Sequence, residues 1–216
     1  MDEGEVLNVK ISNMTNSLIA GYLATKFEDA KNKLFSKKEN EIWVTELIEC
    51  SLKREWRKTL YFFESLSPPT IIGDFIHKGF LTWLKENGLY EIEVEFQKEY
   101  MNFVIKGRVD AINDSEVLEV KYMKTLKDRD PLEHHVDQVR LYLWLTDRPK
   151  GRIIYLTPDG CYEHDVTVPM SNFEINELLT AKQSPRYPEW ECSYCVFKDF
   201  CSSAKLFHGE TQKKVR

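Results

Sequence analysis

The chain has 216 residues, of which 42% are hydrophobic and 30% charged, with a formal net charge of −5. That length buries a core unaided, so a disulfide-dependent miniprotein, wholesale disorder and a membrane-spanning bundle are all excluded. The acidic balance also excludes a broad basic surface coating duplex DNA, although not a locally basic groove.

In chain order, residues 13–35 predict a helix, with Leu18, Tyr22, Leu23 and Phe27 at helical spacings. The lysine-rich stretch Lys31–Glu39 reads as an exposed end. Ile42–Thr45 is a short strand, and Cys50 stands at a helix start. Ser67-Pro68-Pro69-Thr70 reads as a breaker, followed by a helix over Ile71–Glu86 with Ile72, Ile76, Phe80 and Trp83 on one face.

The period then changes to two. Tyr90–Phe96, Phe103–Asn113 and Glu116–Met123 predict three strands, the last two joined through an Asn113-Asp114-Ser115 turn. Asp130 reads as an N-cap, with Pro131 and Glu133 behind it, for a helix reaching about Leu145. Arg152–Leu156 and Tyr162–Val168 predict two more strands, and Phe173–Ala181 a helix. The expected class is α/β, with helices flanking a mixed sheet.

One strand pair carries chemistry. Residues two apart on a strand share a face, so Glu119 and Lys121 of Leu118-Glu119-Val120-Lys121 project together while Val120 enters the core. Asp110 of Gly107-Arg108-Val109-Asp110 lies on the neighbouring strand, where a hairpin brings it beside Glu119. Two carboxylates and an amine around one point suit Mg²⁺ or Mn²⁺, and metal-assisted phosphodiester hydrolysis. Charges alternating on the wet face of a sheet give the same pattern. The apolar Val117, Leu118 and Val120 favour a central strand, where charged side chains need partners. His77, four residues after Gly73, offers a nitrogen ligand to the same ion. Gln138 and Tyr142 share a helix face, with His134 and His135 one turn earlier.

Five cysteines fall at 50, 161, 192, 195 and 201. The acidic N-terminus lacks a secretory h-region, so a cytoplasmic, reducing compartment is expected. Cys192, Cys195 and Cys201 then read as ligands of one metal site, with Cys50 as the fourth. Cys161 follows a Pro158-Asp159-Gly160 turn and reads as an ordinary strand residue. Thiol chemistry alone leaves zinc and iron both open.

GxxxH, GxVD, ExK and QxxxY in this order resemble the RecB-like branch of the PD-(D/E)XK nuclease superfamily. The resemblance runs from about Thr45 to Ala204. It implies a restriction-endonuclease-like core at 70–183, an N-terminal helical region at 1–69 and a cysteine tail at 184–216, together one nuclease domain. It implies metal binding by His77, Asp110, Glu119 and the carbonyl of Val120. Asp110, Glu119 and Lys121 would be catalytic, and Gln138 and Tyr142 would contact DNA. It also implies that Cys50, Cys192, Cys195 and Cys201 hold an iron–sulfur cluster, four-iron rather than two-iron, clasping both ends of the chain. No proline follows Cys50, where such nucleases often show one.

Within that branch the layout is similar to the CRISPR-associated exonucleases. The expectation is a Mg²⁺- or Mn²⁺-dependent deoxyribonuclease acting on single-stranded DNA ends during spacer processing, with the CRISPR integrase as partner and no membrane. A catalytically silent DNA-binding scaffold, or a viral or repair nuclease, would share the same motifs.

Overall fold

The computed structural model describes residues 18, 20–29, 31–60, 68–180 and 184–204. Residues 13–17 of the first expected helix, Ser67 of the expected breaker and Ala181 lie outside them. Among the described residues, six strands form one mixed sheet. Its path runs through β1 (Glu41–Trp43), β3 (Phe103–Ile112), β4 (Glu116–Tyr122), β5 (Lys150–Thr157) and β6 (Gly160–Val166), with β2 (Glu91–Tyr100) on β3 off this path. β1 is parallel to β3 and β4 to β5; the other pairs are antiparallel.

Helices cover both faces. On one, α3 (Pro68–Glu86) packs Leu81 and Leu84 onto Ala111, Leu118, Val120 and Ile154. On the other, α4 (Glu133–Thr146) and α5 (Asn172–Thr180) pack Val139, Leu143 and Ile175 against Val109, Val117 and Ile153. β4 is buried from Val117 to Val120, as a strand inside a covered sheet must be. Its alternation sends Leu118 and Val120 toward α3, and Val117, Glu119 and Lys121 toward α4. Three short helices, α1 (Val44–Leu47), α2 (Ser51–Thr59) and α6 (Glu191–Tyr194), complete the set used below. No helix among the described residues is long and apolar enough to cross a membrane.

Several boundaries differ from expectation. The prolines at 68 and 69 open α3 rather than break the chain, because a proline in the first turn gives up only an N–H that has no helical partner there. α4 begins at Glu133 with Leu132 as its N-cap, not Asp130. The helix start has no side-chain cap bond; the Leu132 N–H is instead taken by the Tyr155 hydroxyl at 3.0 Å. The first strand stops at Trp43; Val44 begins α1, and the Glu46 carboxylate takes the Trp43 N–H at 2.8 Å. β2 runs on to Tyr100, and β6 covers Gly160–Val166 rather than Tyr162–Val168.

Candidate active site

The site starts from an interrupted strand edge. β2 pairs with β3 from Phe103 to Ile112 except at Asp110, so β1 and β4 share the other edge. β1 takes Val104–Lys106 and β4 only Ala111 and Ile112. Gly107 to Asp110 therefore have no strand partner on that edge among the described residues. Side chains serve the freed backbone instead. Asp110 Oδ2 accepts the Val120 N–H at 2.8 Å, and the Tyr142 hydroxyl donates to the Arg108 carbonyl at 2.9 Å. Gly107 lets α4 come this close: a Cβ there would stand 2.7 Å from Leu145 Cδ2 and 3.0 Å from Tyr142 Cε1. The glycine and aspartate of GxVD thus have a physical reason in the packing.

Glu119 and Lys121 meet as the period of two requires. Lys121 Nζ lies 2.5 Å from Glu119 Oε1 and donates to Gln138 Oε1 at 3.2 Å. Gln138 Nε2 donates to the Tyr142 hydroxyl at 2.9 Å. A continuous polar chain therefore runs from Glu119 through Lys121, Gln138 and Tyr142 to the backbone of β3. Glu119 is 2% exposed, and its Oε2 is buried without a hydrogen-bond partner. Burial, then the charge of Asp110, pushes its carboxyl up to about 7 against the pull of Lys121. Burial alone would lower the Lys121 ammonium, but Glu119 and Asp110 outweigh it and raise it.

His77 on α3 completes the cluster, with Nε2 3.0 Å from Asp110 Oδ2. Burial pulls its pKa down, but the bond to Asp110 outweighs this and the net shift is upward. These groups line an open cavity of about 470 Å³, together with Asp74 and Lys124. Asp74 and Lys124 were not singled out by motif. Asp74 had a usable signal, since it lies one helical turn before His77. It accepts the Tyr22 hydroxyl and pairs with Lys26 at 2.8 Å and Lys78 at 3.4 Å.

The donor set suits a hard divalent cation: two carboxylates beside each other, one with an unpartnered buried oxygen. In the structure Asp110 and Glu119 are held by His77, Lys121 and the Val120 N–H. Among the described residues, no group of three or more His, Cys, Asp or Glu side chains is already spaced to hold an ion.

His134 and His135 are placed close by. His135 is buried, its Nδ1 2.9 Å from the Tyr155 hydroxyl, and burial and then Lys121 lower its pKa to about 2. Burial, Lys121 and Lys53 lower His134 to about 4. Both rings are neutral at physiological pH. With Lys121, Gln138 and Trp190 they line a second cavity of about 360 Å³ that reaches Cys195.

The cysteines differ in burial. Cys161 is exposed on β6. Cys50, Cys192 and Cys201 are buried and Cys195 is half-buried, all as free thiols. Burial raises the Cys192 thiol, and Cys50, Cys195 and Cys201 raise it further, although among the described residues the cysteines do not form a group already spaced to hold an ion. An all-sulfur set suits a thiophilic metal.

The mixed sheet covered by helices on both faces is a restriction-endonuclease-like core of the PD-(D/E)XK class. The alkaline exonuclease LHK-Exo from Laribacter hongkongensis shares this fold at 10% identity and a TM-score of 0.51, over 85% of this chain and 97% of that one. No protein-family model matches the chain. The CRISPR-associated exonuclease Cas4 of Saccharolobus solfataricus is 38% identical over 186 residues, covering 79% of this chain and 91% of that protein. The chain belongs to the CRISPR-associated exonuclease Cas4 family. The crystal structure of SSO0001 agrees, with a TM-score of 0.72 and 34% identity over 81% of this chain and 95% of that one.

Proposed function

We propose that this chain is a metal-dependent DNA exonuclease that trims single-stranded ends before spacer integration, with the CRISPR integrase as partner. The observation that carries the reading is the meeting of Asp110, Glu119 and Lys121 on two adjoining strands, with one buried carboxylate oxygen left unpartnered. His77, Asp110, Glu119 and the Val120 carbonyl would hold Mg²⁺ or Mn²⁺. When bound, such an ion supplies charge at the scissile phosphate and makes water a stronger nucleophile.

The chain's own residues do the rest. Lys121 is held charged by its two acidic neighbours, so it acts as a positioned cation beside the attacked phosphate and not as a proton acceptor. Gln138 fixes the Lys121 ammonium, and Tyr142 fixes Gln138. Gln138 and Tyr142 are themselves buried, with their polar atoms spent on Lys121, each other and the Arg108 carbonyl, which supports a role behind Lys121 in place of the expected contact with the DNA strand. Cys50, Cys192, Cys195 and Cys201 would hold a four-iron cluster with a structural role, tying the N-terminal region to the tail.

The test is digestion of end-labelled single-stranded and duplex DNA by anaerobically purified full chain, with Mn²⁺, Mg²⁺ or EDTA, alongside iron content and visible absorbance. Progressive shortening from ends that EDTA abolishes is expected, from a brown protein. Cutting that survives EDTA would contradict the metal assignment. Zinc in place of iron would contradict the cluster.

A further inference from the structure

We propose that Glu191 is a positioning residue that assembles the four-thiol site, by fastening the segment that bears Cys50 to the tail that bears the other three cysteines. The proposal rests on reading the four cysteines as one metal site.

Glu191 is a buried carboxylate, 7% exposed, and opens α6 directly before Cys192. Its Oε1 accepts the backbone N–H of Cys50 at 2.7 Å across 141 residues of sequence. Its Oε2 accepts the N–H of Arg186 at 2.8 Å and of Tyr187 at 3.1 Å. The backbone N–H of Glu191 itself donates to the Tyr187 carbonyl at 3.0 Å. One side chain thus closes the tail into a turn and clamps that turn to the residue that supplies the most distant thiol. The Cys50 sulfur then sits 3.0 Å from Ser184 Oγ, at the start of the same tail segment.

The chemistry needs such a clamp. Bringing residue 50 to residue 192 closes a long loop, which is entropically unfavourable. Thiolates also repel one another as they converge, and Cys192 already feels the other three sulfurs. One carboxylate bonded to three backbone donors offsets the loop-closure cost before any metal arrives, against the repulsion that its own charge adds at Cys192. A carboxylate is the right group because it only accepts. A glutamine of the same shape would turn an NH₂ toward one of these N–H donors.

The test uses the full chain, reduced and stripped of metal under anaerobic conditions, titrated with Co²⁺ as the probe. Sulfur-to-cobalt charge-transfer absorbance reports thiolate ligation independently of nuclease activity. The wild type should bind with that signature, and Cys201→Ser should weaken it. No thiolate signature in the wild type would overturn the four-thiol site and this proposal with it. Glu191→Gln should bind Co²⁺ about ten-fold more weakly, or about 1.4 kcal/mol, and should reach the wild-type spectrum at saturation because the ligands are unchanged. Wild-type affinity in this variant would overturn the positioning role while leaving the thiol site intact. A different saturated spectrum would overturn it too, since Glu191 would then act as a ligand. If Glu191→Gln does not fold, Glu191→Asp decides: the charge stays but the reach shortens, so weaker binding is expected and unchanged binding refutes the proposal.

Discussion

Asp110 reaches from β3 to the main chain of β4, where its Oδ2 accepts the Val120 N–H at 2.8 Å while lying 3.0 Å from His77 Nε2. The same oxygen therefore supports the fold and faces the proposed chemistry. Asp110→Ala removes both roles and leaves the Val120 N–H unpartnered, at about 1–3 kcal/mol. Asp110→Asn keeps an acceptor oxygen and should lose clearly less stability, while both variants lose cutting. Urea unfolding of the two proteins checks this; equal losses would show that the backbone bond contributes nothing.

Glu119 gives the proposed site a pH signature. Burial and the charge of Asp110 raise its folded pKa to about 7, above the ordinary carboxylate value of 4.5, so the folded state holds the proton more tightly. Its contribution to stability is present below 4.5 and is lost as pH rises through about 7. Thermal unfolding across this window should show stability falling with pH in the wild type. Glu119→Gln, which does not titrate, should show a flatter profile. An unchanged slope would mean that Glu119 titrates alike in the folded and unfolded chain.

Asp74 predicts the opposite sign at lower pH. Burial pushes its carboxyl up, but hydrogen bonds from Lys26 and Tyr22 outweigh this and hold it at about 2, below the ordinary 3.8. Its stabilisation is therefore present above 3.8 and lost as pH falls toward about 2. Asp74→Asn should cost about 1 kcal/mol near neutrality, the upper end for a partly exposed ion pair, and should flatten acid unfolding over that window. Unfolding curves collected at several acidic pH values test both parts.

Gly151 reports on packing away from the chemistry. A Cβ there would lie 2.2 Å from Val139 Cγ1, on the core face of α4. Gly151→Ala should destabilise the fold by about 1–3 kcal/mol. The variant should retain cutting per folded molecule at low temperature. Wild-type stability would show that α4 can move off the sheet, contrary to the contact between them.

Much of the site was legible because strands alternate. The pairing of Glu119 with Lys121, and the inward turn of Val120, follow from a period of two within one short segment. The nearness of Asp110 follows from the hairpin whose turn Asn113 closes, its side chain accepting the Ser115 and Glu116 N–H groups at 2.9 and 3.0 Å. What escaped depends on distant partners. The free stretch of β3 exists because β1, some sixty residues earlier, takes the other half of that edge. α4 starts after Leu132, whose N–H meets Tyr155 23 residues downstream, and not at the local capping signal of Asp130. Asp74 acquires its partners only when Tyr22 and Lys26 arrive from the helical stretch at 20–29. The thiol spacing announced the cysteines and said nothing of Glu191, whose importance lies wholly in the backbone donors it meets.

Lys121 offers the most direct measurement. Lys121→Ala should bind a single-stranded oligonucleotide within about three-fold of wild type, because one cation among several contacts contributes modestly to DNA affinity. Its rate of cutting with Mn²⁺ should fall about 10²–10³-fold, as expected when a positioned group loses contact with developing charge. Cutting at the wild-type rate would show that the two acids and the ammonium on β3 and β4 are not the catalytic centre.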